Sequence, residues 1–240
     1  MRRTVFLSLL LVFLFAGPLC PAEAQATDRY LFLQDHSLLG PLKIYTSQDG
    51  IKVSARIMGF TLISRKPDWS VTIYSTRRKK VFKQSFDSFM KAGLGSLTIL
   101  GPGDQNSMAL KRPLPETHMG LPASKHRMVT NRGYYIVTDA GMPDRKAGKI
   151  LQQLYNVPYT DGIPLVFIRE RPKQPYKADQ LYFTSKHPAR VLSTLFVKKN
   201  PSKGDFDLTV PPGLKTAMSE REVVIGKSKT EGLEEILTGD

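Results

Sequence analysis

Between Leu42 and Phe89 apolar and polar residues alternate in short β-branched and aromatic runs separated by turn signals. Leu42 to Thr46 leads into Ser47-Gln48-Asp49-Gly50, after which Ile51, Val53, Ala55 and Ile57 alternate with Lys52, Ser54 and Arg56. This period of two predicts a hairpin with one buried face. Met58 to Ser64 extends the series as a strand, Lys66-Pro67-Asp68 breaks it, and the basic turn Thr76 to Lys80 joins Val71–Ser75 to Val81–Phe86. Four or five antiparallel strands are therefore expected here.

The period then changes. Phe86, Phe89 and Met90 fall at helical spacing and Gly93 closes the run, which predicts a short helix. Pro143 and Asp144 open a clearer one over Asp144 to Asn156: Ala147, Ile150, Leu151, Leu154 and Tyr155 share a stripe, while Lys146, Lys149, Gln152 and Gln153 are expected to face away. Ile163–Arg169, Gln180–Ser185 and Arg190–Lys198 read as further strands, Glu222–Ile225 as a last one, and Leu233, Ile236 and Leu237 as a terminal helical turn. Gly101 to Arg132, with four Pro, two of the four His and few large apolar residues, reads as a long loop. No internal repeat is present. The expected fold class is α+β: a strongly curved antiparallel sheet, an incomplete β-barrel, with one or two helices packed across it, in a single domain over residues 27–240.

The first 26 positions carry Arg2 and Arg3, an apolar run from Val5 to Ala16, and small residues at Ala22, Ala24 and Ala26, the order of a cleaved secretory signal. The apolar run is about half the roughly 20 residues that span a bilayer. Cys20, the only cysteine, follows Leu19 rather than the small residue a lipid anchor requires. The mature chain is thus expected to be periplasmic or secreted, with no thiol and no transmembrane segment. In composition, 240 residues with 41% hydrophobic and 23% charged content suit a globular core. The formal charge is +14, and losing Arg2, Arg3 and Glu23 with the signal leaves +13. So basic a chain favours anionic partners, and export makes nucleic acid an unsuitable one.

Catalytic patterns fail in turn. Gly226-Lys227-Ser228 resembles the end of a phosphate loop, but Arg221 stands where that loop needs Gly. Ser88-Phe89-Met90-Lys91 has the Ser-x-x-Lys spacing without its partner motifs and reads more simply as an exposed helix face, leaving a hydrolase as the third reading. His36, His118, His126 and His187 include no pair at metal-ligating spacing, and no cofactor fingerprint is present. No catalytic, metal-binding or cofactor-binding residue is assigned. The basic clusters carry more. Arg77, Arg78, Lys79 and Lys80 occupy a hairpin tip, where cations keep a sheet soluble or contact an anionic envelope surface; Arg169, Arg171, Lys173 and Lys177 line another turn.

Two stretches carry a resemblance. One is Gly59-Phe60-Thr61-Leu62-Ile63-Ser64-Arg65-Lys66-Pro67-Asp68-Trp69-Ser70-Val71-Thr72-Ile73-Tyr74, a strand, a Pro-Asp-Trp corner and a strand; the other is Phe206-Asp207-Leu208-Thr209-Val210-Pro211-Pro212-Gly213-Leu214. Together with the order of signal, sheet and helix, they look like the periplasmic lipoprotein carrier and receptor family of Gram-negative envelopes, whose fold is an incomplete β-barrel lidded by helices. The resemblance implies a non-enzymatic protein that binds or carries a lipid or other apolar ligand, and carries over no lipoprotein-handling residue. Phe60, Leu62, Trp69, Ile73 and Phe82 are then the candidate lining, each of which reads equally well as a core anchor.

Overall fold

The computed structural model describes residues 28–95, 110–129, 133–169, 189–202 and 206–226. The proposed signal, the Gln180–Ser185 strand, the cations Arg171, Lys173 and Lys177, and the terminal helical turn lie outside the described residues.

Six strands form the first meander: β1 (Tyr30–His36), β2 (Gly40–Ser47), β3 (Gly50–Ala55), β4 (Phe60–Arg65), β5 (Val71–Ser75) and β6 (Lys80–Gln84). Helix α1 (Phe86–Ala92) follows, then β7 (Leu114–His118), β8 (Leu121–Arg127) and β9 (Tyr134–Thr138), helix α2 (Arg145–Tyr155), β10 (Ile163–Arg169), β11 (Ala189–Lys199), β12 (Lys215–Thr216) and helix α3 (Glu220–Val224). These strands make one sheet of twelve in the order β12-β6-β5-β4-β3-β2-β1-β11-β10-β9-β8-β7. Every pairing is antiparallel except that of β12 with β6. The chain is therefore α+β, with a large, open, mixed sheet and, among the described residues, three short helices, and β11 joins two meanders by returning to β1.

Strands β2 to β6 follow the alternation of the sequence, with one departure. Strand β3 ends at Ala55, and Ile57 turns out to solvent in the tight connection to β4. The centre of the sheet is less obvious. Strand β1 buries Tyr30, Phe32, Gln34 and His36 on one face, so two of its four inward side chains are polar and its hydrophobic alternation is broken. The Gly101 to Arg132 stretch is not one long loop: β7 and β8 form a hairpin within it, turned by Met119 and Gly120, both at positive φ as a two-residue primed turn requires. Residues on both faces of that hairpin are half-buried or exposed and none is fully buried, so no apolar period marks it in the sequence. Glu222–Ile225, expected as a strand, belongs to α3, which buries Val223 and Val224 against β5 and β6. Five residues are too few to show a helical period.

Helix α2 begins where Asp144 caps it, its carboxylate accepting from the Lys146 amide at 2.8 Å, and ends at Asn156 in the left-handed conformation. Ala147, Ile150, Leu151 and Leu154 are buried and the helix packs on β10 and on α1. Gln152 does not face away. Its amide nitrogen donates to the carbonyls of Thr160 at 2.8 Å and Gly162 at 2.9 Å, and its oxygen accepts from the Thr160 amide, tying the helix to the approach of β10.

Beyond β11 the chain recrosses the sheet. Phe206 packs edge-on against Tyr45 of β2, with Arg29 over its ring, and Asp207 lies in the field of Lys52 on β3 and of Tyr74 on β5. The segment then reaches β6, where β12 adds at the edge. It crosses the face of the sheet opposite to α2.

Candidate ligand-binding face

The pairing register brings most of the candidate lining together. Phe82 stands opposite Ile73, Ile73 opposite Leu62, Leu62 opposite Val53, Val53 opposite Ile44 and Ile44 opposite Phe32. Directly paired residues share a face, so these six side chains form one transverse apolar row across β6 to β1. Phe60 lies on the same face, two residues from Leu62 and opposite Ala55. Trp69 is placed by the corner between β4 and β5, where it sits at φ 57 and its amide donates to the Arg65 carbonyl at 3.0 Å.

These positions are filled. Leu62 and Ile73 are 0% exposed, Phe60 and Trp69 2%, and Phe82 is half-buried. The same hydrophobic cluster takes in Phe89 and Leu94 at α1, Ile150, Leu151 and Leu154 of α2, and Val223 and Val224 of α3. The three helices thus cover the inner face, and Trp69 is a core anchor. Side chains with no accessible surface border no open hollow.

A polar belt crosses this core at β1, unannounced by the sequence. The Gln34 amide nitrogen donates to the Pro164 carbonyl and the Thr194 hydroxyl, and Thr194 in turn donates to Leu165. His36 is buried against Tyr155, and its Nδ1 accepts from the amides of Leu38 and Leu39, which leaves Nε2 to donate to the Tyr155 carbonyl at 3.1 Å. Burial lowers its pKa from the ordinary value, against smaller raising effects of that carbonyl and of Asp35. The Gln34 Oε1, Thr46 Oγ1, Ser64 Oγ and Tyr155 hydroxyl are buried with no protein partner among the described residues. Burial also raises the Tyr155 phenol far above its usual range.

The His36 environment sets the sign of a pH dependence. The unfolded chain takes up a proton near pH 6.5, the ordinary value, whereas the folded chain resists until lower pH. Stability present above 6.5 is therefore lost as the pH falls through the folded value. The melting temperature should drop between neutral pH and about pH 5, and less so in His36→Gln. His118 and His126, also lowered by burial, contribute with the same sign, so the flattening is partial. Calorimetry across that range checks it, and an equal drop in wild type and variant would contradict it.

At the hairpin tip the four basic candidates divide. The Arg78 guanidinium donates to the carbonyls of Met58 and Val223, both at 3.2 Å, and Lys80 pairs with Glu222 at 2.9 Å. Both hold α3 on the sheet. Arg77 and Lys79 project to solvent. Arg169 ends β10, exposed.

Among the described residues the chemistry-bearing side chains do not converge. Ser88 is exposed, and its hydroxyl accepts from Ser85, the N-cap of α1, whose own hydroxyl oxygen accepts from the Ser88 amide as a helix cap. An open cleft of about 360 Å³ beside it is lined by Asp68, Ser70, Lys83, Gln84, Ser85 and Phe86. Hydrogen bonds from Ser70, with Lys83 nearby, hold the Asp68 carboxyl below its usual range, so it is a fixed anion and a poor general acid. Among the described residues no three His, Cys, Asp or Glu side chains could hold a metal.

No family of known proteins matches the chain, and no curated protein does. Among solved structures it is similar to PNGF-II in two crystal forms. One has a TM-score of 0.42 at 13% identity over 83% of this chain and 33% of that one; the other has 0.39 at 14% over 80% and 31%. The chain thus spans about a third of the length of PNGF-II. An uncharacterized conserved protein from Thermus thermophilus is similar with a TM-score of 0.30 at 9% identity, over 80% of this chain and 91% of that one. At these scores the likenesses carry no argument about function.

Proposed function

We propose that the chain is an exported, non-enzymatic protein of the bacterial envelope that takes a lipid or other apolar ligand between the inner face of its sheet and its helical cover. The observation that carries the reading is the apolar row from Phe82 to Phe32 across six adjacent strands of an unclosed sheet. Helices of only 7, 11 and 5 residues cover it. In this reading the sheet curls into an incomplete barrel, helped by the bulges where β11 meets β1 and β10 and where β10 meets β9. The arrangement with α1 and α2 seated on the core is then the closed one. Phe60, Leu62, Ile73 and Phe82 belong to one core cluster with apolar residues of all three helices, so uptake requires the helical cover to move off the sheet, and an acyl chain then takes the place of its apolar side chains.

Trp69, the only tryptophan, makes this directly measurable. Purified mature protein titrated with N-phenyl-1-naphthylamine should transfer Trp69 emission to the bound probe. Native mass spectrometry of protein purified without organic solvent should show an adduct that extraction removes. A clean apo mass together with no energy transfer defeats the carrier reading.

A second reading is favoured by the net charge and by the exposed Arg77 and Lys79: a basic envelope scaffold that binds anionic polymers through its hairpin tips. Salt-sensitive binding to cell-wall polymer by a protein that carries no lipid is its signature.

A further inference from the structure

The face of the sheet turned away from the helices carries a second apolar surface, and this one is open. Strand β11 has a bulge opposite Leu33 and Gln34: Leu33 pairs with Phe196 and Gln34 with Thr194, which leaves Leu195 as the extra residue. Gln34 and Thr194 point inward, where they hydrogen-bond. A regular strand would show solvent only every second side chain, whereas here two consecutive apolar residues are exposed, Leu195 at 59% and Phe196 at 47%. Leu31 and Leu33 of β1, half-buried, extend the patch beside them. The strap through Phe206 covers this face at Tyr45 of β2 and toward β3 and β5, one strand away.

Cations border the patch at fixed register. Lys43 stands opposite Leu33 on β2, so Lys43, Leu33 and Phe196 form one transverse row, and Lys198 stands opposite Leu31 in the next. Both lysines are exposed and have no ionic partner among the described residues. The one carboxylate on this face of β1 is Asp35, at its far end opposite Pro41 and Ser193. Exposed Leu and Phe flanked by unpaired lysines on a chain of formal charge +14 complement the boundary of a bilayer that contains anionic phospholipid: the rings enter among the acyl chains and the ammonium groups meet phosphate.

We infer that the outer face of β1 and β11 docks the protein on an anionic membrane surface, with Leu195 and Phe196 as the inserted wedge and Lys43 and Lys198 as the headgroup contacts. This goes beyond the ligand reading and does not depend on it: vesicle binding reports the outer face, whereas native mass and Trp69 energy transfer report the inner one.

Cosedimentation of the mature chain with vesicles tests the assignment. Wild type should pellet with vesicles of phosphatidylcholine mixed with phosphatidylglycerol, weakly with phosphatidylcholine alone, and less as salt is raised. The double variant Leu195→Ser, Phe196→Ser should bind the mixed vesicles about tenfold more weakly or less while melting like wild type, since both side chains are exposed. Should that variant fail to fold, Lys43→Glu with Lys198→Glu, also at exposed positions, should abolish the preference for the anionic vesicles. Undiminished binding by either folded double variant overturns the proposal. So does an absence of wild-type binding, or loss of binding in Arg77→Glu, Lys79→Glu with full binding by the patch variants. A wild-type dimer that the serine variant dissolves, with no vesicle binding, would assign the face to a second copy instead.

Discussion

Leu154→Asp should unfold the protein at room temperature or come close to it. Leu154 lies on the stripe of α2 that packs into the common core, flanked by Ile150 and Leu151, and is almost wholly buried. A carboxylate placed there finds no cation on its own helix, because the basic residues Arg145, Lys146 and Lys149 all lie on its exposed side. An unpaired buried charge combined with a lost leucine should cost at least about 4 kcal/mol. That is a large part of the roughly 5–15 kcal/mol that ordinarily separates folded from unfolded chains, so urea unfolding should begin at very low denaturant. Lys149→Asp, one residue before Ile150 and outside the core, should stay within about 1 kcal/mol of wild type. Equal tolerance of both changes would mean that α2 is not a fixed part of the core, which is what a freely swinging cover would show.

How far the sequence reveals this arrangement depends on which faces are covered. Strands β2 to β6 are readable because one face is buried and the other bears Lys and Ser, giving the alternation from Ile51 to Ala55. Helix α2 is readable because its stripe, its Asp144 cap and its Asn156 stop agree. Strand β1 is hidden although it is central, since Gln34 and His36 are polar residues made acceptable inside by Pro164, Thr194 and the Tyr155 carbonyl, partners 119 to 160 positions away. The β7–β8 hairpin is hidden for the opposite reason, since neither of its sides is fully buried. At the site, alternation places Leu62, Ile73 and Phe82 on one face but says nothing of what lies over them. The cover comes from α1, α2 and α3, whose contacts with the first meander are mostly nonlocal. The same distance explains the basic tip: Arg78 and Lys80 are held by Val223 and Glu222, 145 and 142 residues on.

Trp69 supplies the sharpest test of whether the inner face is packed or hollow. Its indole is among the largest fully buried side chains, so Trp69→Ala should lower stability by about 3–5 kcal/mol through lost burial and the cavity left behind. Its backbone adds a second, separable contribution. At φ 57 any residue with a Cβ is disfavoured by roughly 1–2 kcal/mol, which glycine escapes. Glycine meanwhile loses about 0.5–1 kcal/mol relative to alanine in chain entropy. Trp69→Gly should therefore be no less stable than Trp69→Ala, the reverse of the usual order, and both should lie far below wild type. In the wild-type protein the emission of this single indole should be blue-shifted and protected from iodide until unfolding, and the fluorescence and circular dichroism transitions should coincide. A Trp69 that iodide reaches in the folded state, or a Trp69→Ala variant as stable as wild type that no longer accepts the naphthylamine probe, would place the indole on the wall of an open cavity instead of in the core.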